Sequence, residues 1–326
     1  MTSFRLKTIW PEWRNLLILT TMIALTGCKY AFELNDKDMK SMVAIQSYIC
    51  ADSLVSINIH KTVPLTQIGK ADTLLRNPHY SLTCNGMEVE VRDSMIGAGG
   101  MSVSSRGFKG GDKIEFTFET EDMETAVAST VIPEPFPEHS AELTLSNNAE
   151  RSLKIRYKDN PDTDDWYGAM VKWKGTQVRY TGIDETESTN EVTDRSIVPP
   201  SGYGDINLEP EAYSPLLTYY DDNYLFFWKD SDEEDNEYDL CFNYRHQNDA
   251  TYDKLRDVEI KYSLFKLSEE MYKYLFATFD STENPFAYIG LSSPAFTYSN
   301  VRNGLGYLCG YSVIHSDWIK DNLIEE

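Results

Sequence analysis

The stretch Leu54-Val55-Ser56-Ile57-Asn58-Ile59-His60 decides the fold class of this chain. Its apolar side chains at 55, 57 and 59 alternate with polar ones, which is typical of a strand with one buried and one solvated face. Similar short runs fill residues 42–132 and are separated by turn-forming residues such as Asn85-Gly86. About seven short strands without a helical period predict an immunoglobulin-like β-sandwich over residues 41–132.

The segment Pro133-Glu134-Pro135-Phe136-Pro137 predicts the domain boundary. Three prolines this close together cannot lie inside a sheet, and they favour an extended, stiff connection. Strand-like runs resume after it and predict a second β-rich domain over 138–326, whereas residues 184–223 lack a pattern and are expected to form long loops. The predicted fold is therefore mainly β, with two β-sandwich-like domains, and we expect the second one, 138–326, to fold alone.

One helix is predicted at residues 269–279 of the second domain, with Ser268 as its N-cap. Tyr272, Phe276 and Phe279 recur at helical spacing, so we expect them to form the buried face of this helix. The competing interpretation is that this segment is a docking surface, in which case Phe276 is not needed for stability.

The charge balance excludes some classes of partner. The 326 residues include 30 Lys+Arg and 52 Asp+Glu, for a formal net charge of −22. Such a chain has no surplus of cations for the phosphates of nucleic acid or for the head groups of anionic lipid. A hydrophobic content of 41% nevertheless predicts a packed core.

The N-terminal residues 1–27 are predicted to be a secretory signal. A basic front part precedes the apolar run Leu16 to Leu25, which is too short to span a bilayer. The run ends in Leu25-Thr26-Gly27-Cys28, which resembles the lipobox of bacterial lipoproteins, in which the Cys is diacylated and becomes the new N-terminus. We expect Cys28 to carry a lipid anchor and residues 28–40 to form a tether.

Four further cysteines follow: Cys50, Cys84, Cys241 and Cys309. An even number in an exported protein permits disulfides, in any of three connectivities. Buried free thiols are the alternative, because free Cys packs well as a small hydrophobic side chain.

No local motif predicts catalysis, a metal or another cofactor. The five histidines, His60, His79, His139, His246 and His315, show no zinc spacing, and no Gly-x-Ser-x-Gly elbow occurs. Residues 230–239 hold seven acids, which indicates a solvated loop or, as the weaker alternative, a Ca²⁺ site. Two groups of aromatic residues are expected to pack mainly in the core, with exposed sugar- or protein-binding rings as the alternative: Trp166, Tyr167 and Trp173; and Tyr219, Tyr220, Tyr224, Phe226, Phe227 and Trp228.

Two C-terminal segments carry a family resemblance: residues 267–275, with the helix start, and residues 298–311, which read Tyr-Ser-Asn-Val-Arg-Asn-Gly-Leu-Gly-Tyr-Leu-Cys-Gly-Tyr. With the lipobox and Pro285-Phe286, they resemble the Bacteroidota outer-membrane lipoprotein family called domain of unknown function 4249. Turn chemistry and close backbone approach predict a structural role for the motif residues Ser299, Asn300, Asn303, Gly304, Gly306 and Gly310.

The resemblance implies a lipid-anchored outer-membrane protein that accompanies a TonB-dependent receptor, and the family has no assigned activity that could be carried over to this chain. We therefore expect a non-catalytic accessory component that binds a partner, a small ligand or a glycan. A surface hydrolase of glycans and a structural or adhesive surface protein are the alternatives. The sequence leaves open whether the protein faces the periplasm or the cell exterior.

Overall fold

A single long β-sheet runs through the whole fold. The computed structural model describes residues 40–64, 67–70, 72–95, 100–145, 151–181, 186–196, 212–215, 224–230, 237–244, 253–283 and 298–321. The predicted signal and Cys28 lie outside these residues. Within the described part of the chain, no helix has the length and apolar character needed to cross a bilayer.

The first half contains eight strands, which are β1 (Val43–Cys50), β2 (Val55–Lys61), β3 (His79–Cys84), β4 (Met87–Glu88), β5 (Val91–Met95), β6 (Gly100–Ser105), β7 (Lys113–Glu119) and β8 (Ala126–Val131). The remaining strands are β9 (His139–Leu145), β10 (Arg151–Lys158), β11 (Trp166–Thr181), β12 (Thr186–Ser196), β13 (Ala212–Pro215), β14 (Tyr224–Lys229), β15 (Glu237–Tyr244), β16 (Asp253–Leu267), β17 (Val301–Arg302), β18 (Gly304–His315) and β19 (Ile319–Lys320). Helix α1 (Glu269–Glu283) lies between β16 and β17.

These strands form three sheets. The long sheet has eleven strands in the order β13-β14-β11-β16-β18-β1-β2-β6-β5, with β12 paired to β11 and β19 paired to β16. The five-stranded sheet has the order β17-β8-β7-β3-β4, and the three-stranded sheet has the order β15-β10-β9.

Both smaller sheets pack on the same face of the long sheet, and each encloses its own core. The first core joins β1, β2 and β6 to the five-stranded sheet, and the second joins β11, β14 and β16 to the three-stranded sheet. On β18, Leu308 reaches the first core and Ile314 packs against the second, while Cys309 lies on the opposite face against α1. The prediction of a mainly β protein with β-sandwich architecture and one packed helix is confirmed.

The strand pairing differs from the predicted domain limits. The C-terminal strand β18 pairs in parallel with β1 over eight residue pairs, from Val43↔Gly304 to Cys50↔Tyr311. Val301 and Leu308 belong to the first core. The predicted first domain, 41–132, therefore lacks two strands of its own sandwich, and residues Ser41–Glu326 form one compact unit.

The Pro-rich segment 133–137 is extended but packed. Phe136 is only 5% exposed and belongs to the second core, where its ring lies 5.0 Å from that of Tyr157 and 5.3 Å from that of Tyr167. The hydroxyl of Ser312 on β18 donates to the carbonyl of Glu134 at 2.8 Å. The segment thus joins the two sandwiches as a structural part of both.

The expectation that residues 184–223 form only loops is wrong, because this range contains β12 and β13. β12 (Thr186–Ser196) is almost wholly polar and pairs with the second part of β11. A strand that is polar on both faces shows no alternation of apolar residues, so periodicity misses it.

We predict that the fragment 138–326 is less stable than the fragment 41–326, because β18 loses all eight pairs with β1 and Leu308 loses its core. Thermal melts followed by circular dichroism should show a lower midpoint and a broader transition for the shorter fragment. Equal midpoints would show that the second half is independent of the first, as the sequence alone predicts.

Candidate functional site

The C-terminal motif joins the two sheets of the first sandwich. The amide of Asn300 donates to the carbonyls of Ser129 on β8, at 3.0 Å, and of Leu308 on β18, at 2.8 Å. Its amide oxygen accepts from the Leu308 N–H at 3.0 Å, and the Ser299 hydroxyl accepts from the Val301 N–H at 3.3 Å. A single side chain therefore satisfies backbone groups that neither sheet pairs by itself.

The turn after Asn300 depends on three positions with tight backbone geometry. Asn303 has φ +56° and donates to the carbonyl of Thr125 at 3.1 Å. Gly306 has φ +103°, and a Cβ there would overlap the carbonyl oxygen of Ile45 on β1. Gly304 does not have positive φ, but a Cβ there would lie 2.7 Å from the Val43 carbonyl oxygen, so close approach rather than φ requires glycine.

Helix α1 begins at a buried hydrogen-bonded corner. The Ser268 hydroxyl accepts from the Met271 N–H at 3.2 Å, as an N-cap should, and also from the Gly310 N–H at 3.2 Å. The hydroxyl of Thr130 accepts from the same Gly310 N–H at 3.1 Å and donates to Glu270 at 3.0 Å. The predicted cap is confirmed, and it fixes the helix to β18 and β8.

The predicted buried face of α1 is wrong for Phe276, whereas Tyr272 is half-buried and packs against the core under the helix, with its ring 5.9 Å from that of Phe227. Met271 and Leu275 are each 2% exposed and pack on the long sheet, whereas Phe276 is 42% exposed. The side chain of Phe279 lies outside the described part. Met271 and Leu275 are four residues apart and lie on one side of the helix, about 100° around its axis from Tyr272 and Phe276. The side with Met271 and Leu275 is the one that packs on the long sheet.

The outward face of α1 forms an apolar pocket of about 350 Å³ with the start of the C-terminal motif. It is lined by Tyr272, Lys273, Phe276, Ala277 and Tyr298. The rings of Tyr272 and Phe276 are stacked, with centroids 6.1 Å apart. Burial is the main cause that raises the pKa of Tyr298. Helix residues between 272 and 277 and Tyr298, the first residue of the segment 298–311, thus build one aromatic pocket.

A second polar feature, here called the acid cluster, lies at the start of β11. Asp159 and Asp165 are 6% and 8% exposed, and Asp159 accepts a short hydrogen bond from the hydroxyl of Tyr167. Lys266 pairs with Asp165 at 2.7 Å. Asp230 accepts from the Asp165 N–H at 3.1 Å. Lys266 thus pairs directly with only one of the three carboxylates.

Burial is the main cause that raises the pKa of Asp159 and that of Asp230, the latter to about 6, and the neighbouring carboxylates add to both shifts. Among the described residues, no group of three or more His, Cys, Asp or Glu side chains has an arrangement that would hold a metal ion. Because its members bond to one another and to Tyr167 and Lys266, the acid cluster is a structural network that costs stability when fully ionised.

The other predicted candidates do not converge on one place. His60 and His79 are exposed, His139 pairs with Tyr262 at 3.2 Å, His315 pairs with Ser263 at 2.8 Å, and His246 lies outside the described residues. Asp239 of the acidic run pairs with Arg156 at 2.8 Å and Lys154 at 2.6 Å, and residues 231–236 are outside the described part.

The cysteines and most of the aromatic residues contribute to packing. Cys50, Cys84, Cys241 and Cys309 are free thiols, so the alternative without disulfides describes the structure. Burial raises the pKa values of the Cys84 and Cys309 thiols. Of the two predicted aromatic groups, Tyr167, Phe226, Phe227 and Trp228 are fully or nearly fully buried, and Tyr219 and Tyr220 lie outside the described residues. For these four, the prediction of core packing is confirmed.

Sequence reasoning did not find the pocket or the acid cluster. The run Asp159-Asn160-Pro161-Asp162-Thr163-Asp164-Asp165 has four acids in seven residues, and this was the available signal for the acid cluster. No sequence pattern indicated the pocket, because exposed and buried aromatic residues on a helix can have the same spacing.

The architecture defines a mainly β protein in which two sandwiches share one sheet. A family model described as "Domain of unknown function (DUF4249)" matches residues 29–316, so the chain belongs to this family. No curated protein matches the chain. The crystal structure of bovine butyrophilin is a solved structure similar to the chain at 8% identity, covering 69% of this chain and 92% of that one, with a TM-score of 0.22. A likeness at that TM-score carries no argument about function.

We predict that Leu275→Ala destabilises the fold by about 2–5 kcal/mol, whereas Phe276→Ala changes it by only about 0.5 kcal/mol. The first substitution leaves a cavity between α1 and the long sheet, and the second removes a ring that is already half in water. Urea unfolding of both variants measures the difference. A large loss for Phe276→Ala with little loss for Leu275→Ala would reverse the assignment of the two faces.

The acid cluster predicts a pH dependence of stability. Because the folded pKa of Asp230 is raised from 3.8 to about 6, its contribution to stability is present below pH 3.8 and is lost as the pH rises through 6. Asp230→Asn keeps the acceptor for the Asp165 N–H and removes this loss. Between pH 4 and pH 7, the free energy of unfolding of Asp230→Asn should therefore fall by about 1 kcal/mol less than that of the parent. This value allows for solvent screening.

Asp239 is the matched control for that measurement. Its pKa is lowered to about 2, chiefly by Arg156, so its contribution is present above pH 3.8 and is lost only as the pH falls toward 2. Asp239→Asn should leave the slope between pH 4 and 7 unchanged in urea unfolding. If Asp230→Asn also leaves this slope unchanged, Asp230 does not titrate in the predicted range.

Proposed function

We propose that the chain is an outer-membrane lipoprotein, anchored through Cys28, that acts as a non-catalytic binding component beside a TonB-dependent transporter. The observation that carries the binding role is the aromatic pocket on α1. It is formed by helix residues between 272 and 277 and by Tyr298 at the start of the segment 298–311, and it is an open apolar depression at the protein surface.

The chemistry of the pocket favours recognition over turnover. Its lining is aromatic and aliphatic except for Lys273, which pairs with Glu269 on the same helix at 2.6 Å. The ring of Phe276, which is stacked on the half-buried ring of Tyr272, offers an exposed apolar surface of the kind that packs on a sugar ring or in a pocket of another protein. A ligand or partner can use this face without disturbing the fold, because Met271 and Leu275 hold the helix in place.

The anchor follows from the sequence run Leu25-Thr26-Gly27-Cys28. Several acyl chains on one residue bury enough methylene groups for stable attachment. This attachment would keep the β-rich body at the membrane, close to a transporter that spans the same membrane.

We predict that Cys28→Ser releases the protein from the membrane fraction, because this thiol is where the lipid would be attached. Cells that express the parent and the variant should be fractionated side by side, and mass spectrometry should find acyl chains on the parent only. Cys50→Ser is the control and should remain with the membrane. A Cys28→Ser variant that stays fully membrane-bound and a parent without acyl chains would together contradict the anchor.

The binding role has its own test, which uses Phe276→Ala because this substitution should spare the fold. After gentle solubilisation, the lipidated parent should co-purify with a TonB-dependent transporter, and Phe276→Ala should lose it while keeping the parent's melting temperature. Met87→Ala is the control, since Met87 is 70% exposed in another part of the protein. Unchanged capture by Phe276→Ala would remove the pocket from the proposal.

A further inference from the structure

The side of the long sheet that faces away from the two sandwich cores carries a straight line of uncharged side chains across the first sandwich. Backbone pairing places five residues on adjacent strands directly opposite one another, here called the polar row: Ser94 on β5, Ser102 on β6, Asn58 on β2, Gln46 on β1 and Tyr307 on β18. Their strand neighbours Ile45, Ile57 and Met101 are buried in the first core, so the polar row points the other way, to the side on which α1 lies.

The polar row is open to solvent and has unused hydrogen-bonding groups. Gln46 and Ser94 are exposed, and Asn58 and Ser102 are half-buried. The hydroxyl of Ser102 meets that of Ser56 at 3.0 Å. The side-chain amides of Gln46 and Asn58, in contrast, form no hydrogen bond with any residue of the described part of the chain. Because these two residues are direct cross-strand partners, they offer two adjacent sets of donors and acceptors to a ligand.

The lack of charge sets this face apart from the opposite outer face of the same sandwich. There, the central strand β7 of the five-stranded sheet alone exposes Lys113, Glu115 and Glu119. The outward positions of β1, β2 and β6 around the polar row carry no Asp, Glu, Lys or Arg; they are Ala44, Gln46, Tyr48, Cys50, Ser56, Asn58, His60, Ser102 and Ser104. The adjoining edge strand β5 adds Arg92. In a chain with 52 acidic residues, three neighbouring strands without a charge favour an uncharged ligand.

Three tyrosine rings close one end of the polar row. The ring centroid of Tyr307, the last residue of the row, lies 4.7 Å from that of Tyr48 on β1 and 4.1 Å from that of Tyr274 on α1. All three residues are half-buried. Burial is the main cause that raises the pKa of Tyr48, and hydrogen bonds with the other two hydroxyls add to the shift. The helix therefore forms an aromatic wall at one end of a platform of amides and hydroxyls.

A neutral oligosaccharide is the ligand class that fits this combination. Sugar hydroxyls both donate and accept hydrogen bonds, as the amides and hydroxyls of the polar row do, and the C–H face of a sugar ring packs on an aromatic ring. Five adjacent strands extend over roughly 19 Å, which suits a chain of several sugars better than a single one. A protein partner is disfavoured, because the centre of a protein interface is mostly apolar.

We propose that the polar row binds an uncharged oligosaccharide, which lies across the strands with one end against the tyrosine rings. Gln46 and Asn58 bond to sugar hydroxyls, and Tyr307 packs against the terminal ring. This site differs from the aromatic pocket, which is lined by other residues of α1 and by Tyr298. The inference requires neither the lipid anchor nor the transporter of the proposed function.

The test measures saccharide binding to the full-length protein by isothermal titration calorimetry. The probes are neutral linear hexasaccharides of glucose, mannose, xylose and galactose, with hexagalacturonic acid as the charged counterpart. Gln46→Ala and Asn58→Ala each remove one amide of the polar row. Thr117→Ala is the matched control on the opposite outer face of the sandwich, and Phe276→Ala reports on the aromatic pocket. Thermal melts verify that every variant is folded, and the two polar-row variants are read separately, so misfolding of one leaves the other.

We expect the parent to bind at least one neutral hexasaccharide and to bind it more tightly than hexagalacturonic acid. Gln46→Ala and Asn58→Ala should each weaken this binding by about 3- to 10-fold, the effect of losing one hydrogen bond, while Thr117→Ala and Phe276→Ala bind like the parent. Absence of binding to every neutral probe, or unchanged affinity in both polar-row variants, would overturn the inference. Loss of binding in Phe276→Ala alone would place the saccharide in the aromatic pocket, which supports the proposed function and overturns this inference.

Discussion

The parallel pairing of β1 with β18 is the constraint on which the rest of the structure depends. It joins the first and the last long strands of the chain and thereby makes one continuous sheet from strands of both halves. A parallel pair cannot be closed by a hairpin, so the rest of the fold must form the connection between the two strands. Gly306 permits the pair to form, since a side chain there would collide with the Ile45 carbonyl oxygen.

The same strand organises the candidate site. One face of β18 contributes Leu308 to the first core, and the other contributes Cys309 to the core under α1. Ser268, which caps the helix, is held by the N–H of Gly310. The helix is thus fixed by its N-terminus and its aliphatic stripe, and Phe276 remains exposed. In the proposed function, this exposed side is the one that binds.

Much of this fold was predictable from the sequence, and the misses have physical causes. Alternation in residues 54–60 predicted β2, and Ser268 predicted the helix start, because both signals are local. The burial of Leu275 instead of Phe276 was not predictable, since spacing identifies two neighbouring apolar faces and only the sheet decides between them. The pairing of β1 with β18 joins residues about 260 positions apart, for which a single sequence carries no local signal. The role of Asn300 as a bridge between β8 and β18 depends on that pairing and was not predictable either, although the motif that contains Asn300 was identified.

The central claim is that the two sandwiches form one cooperative structure through the shared sheet. Hydrogen exchange of Gly306→Ala, compared with the parent residue by residue, tests it most directly. A Cβ at Gly306 weakens the β1–β18 pair, so the account predicts that amides of the five-stranded and the three-stranded sheets lose protection together. Faster exchange confined to β1 and the five-stranded sheet, with the β10–β15 amides as protected as in the parent, would contradict it.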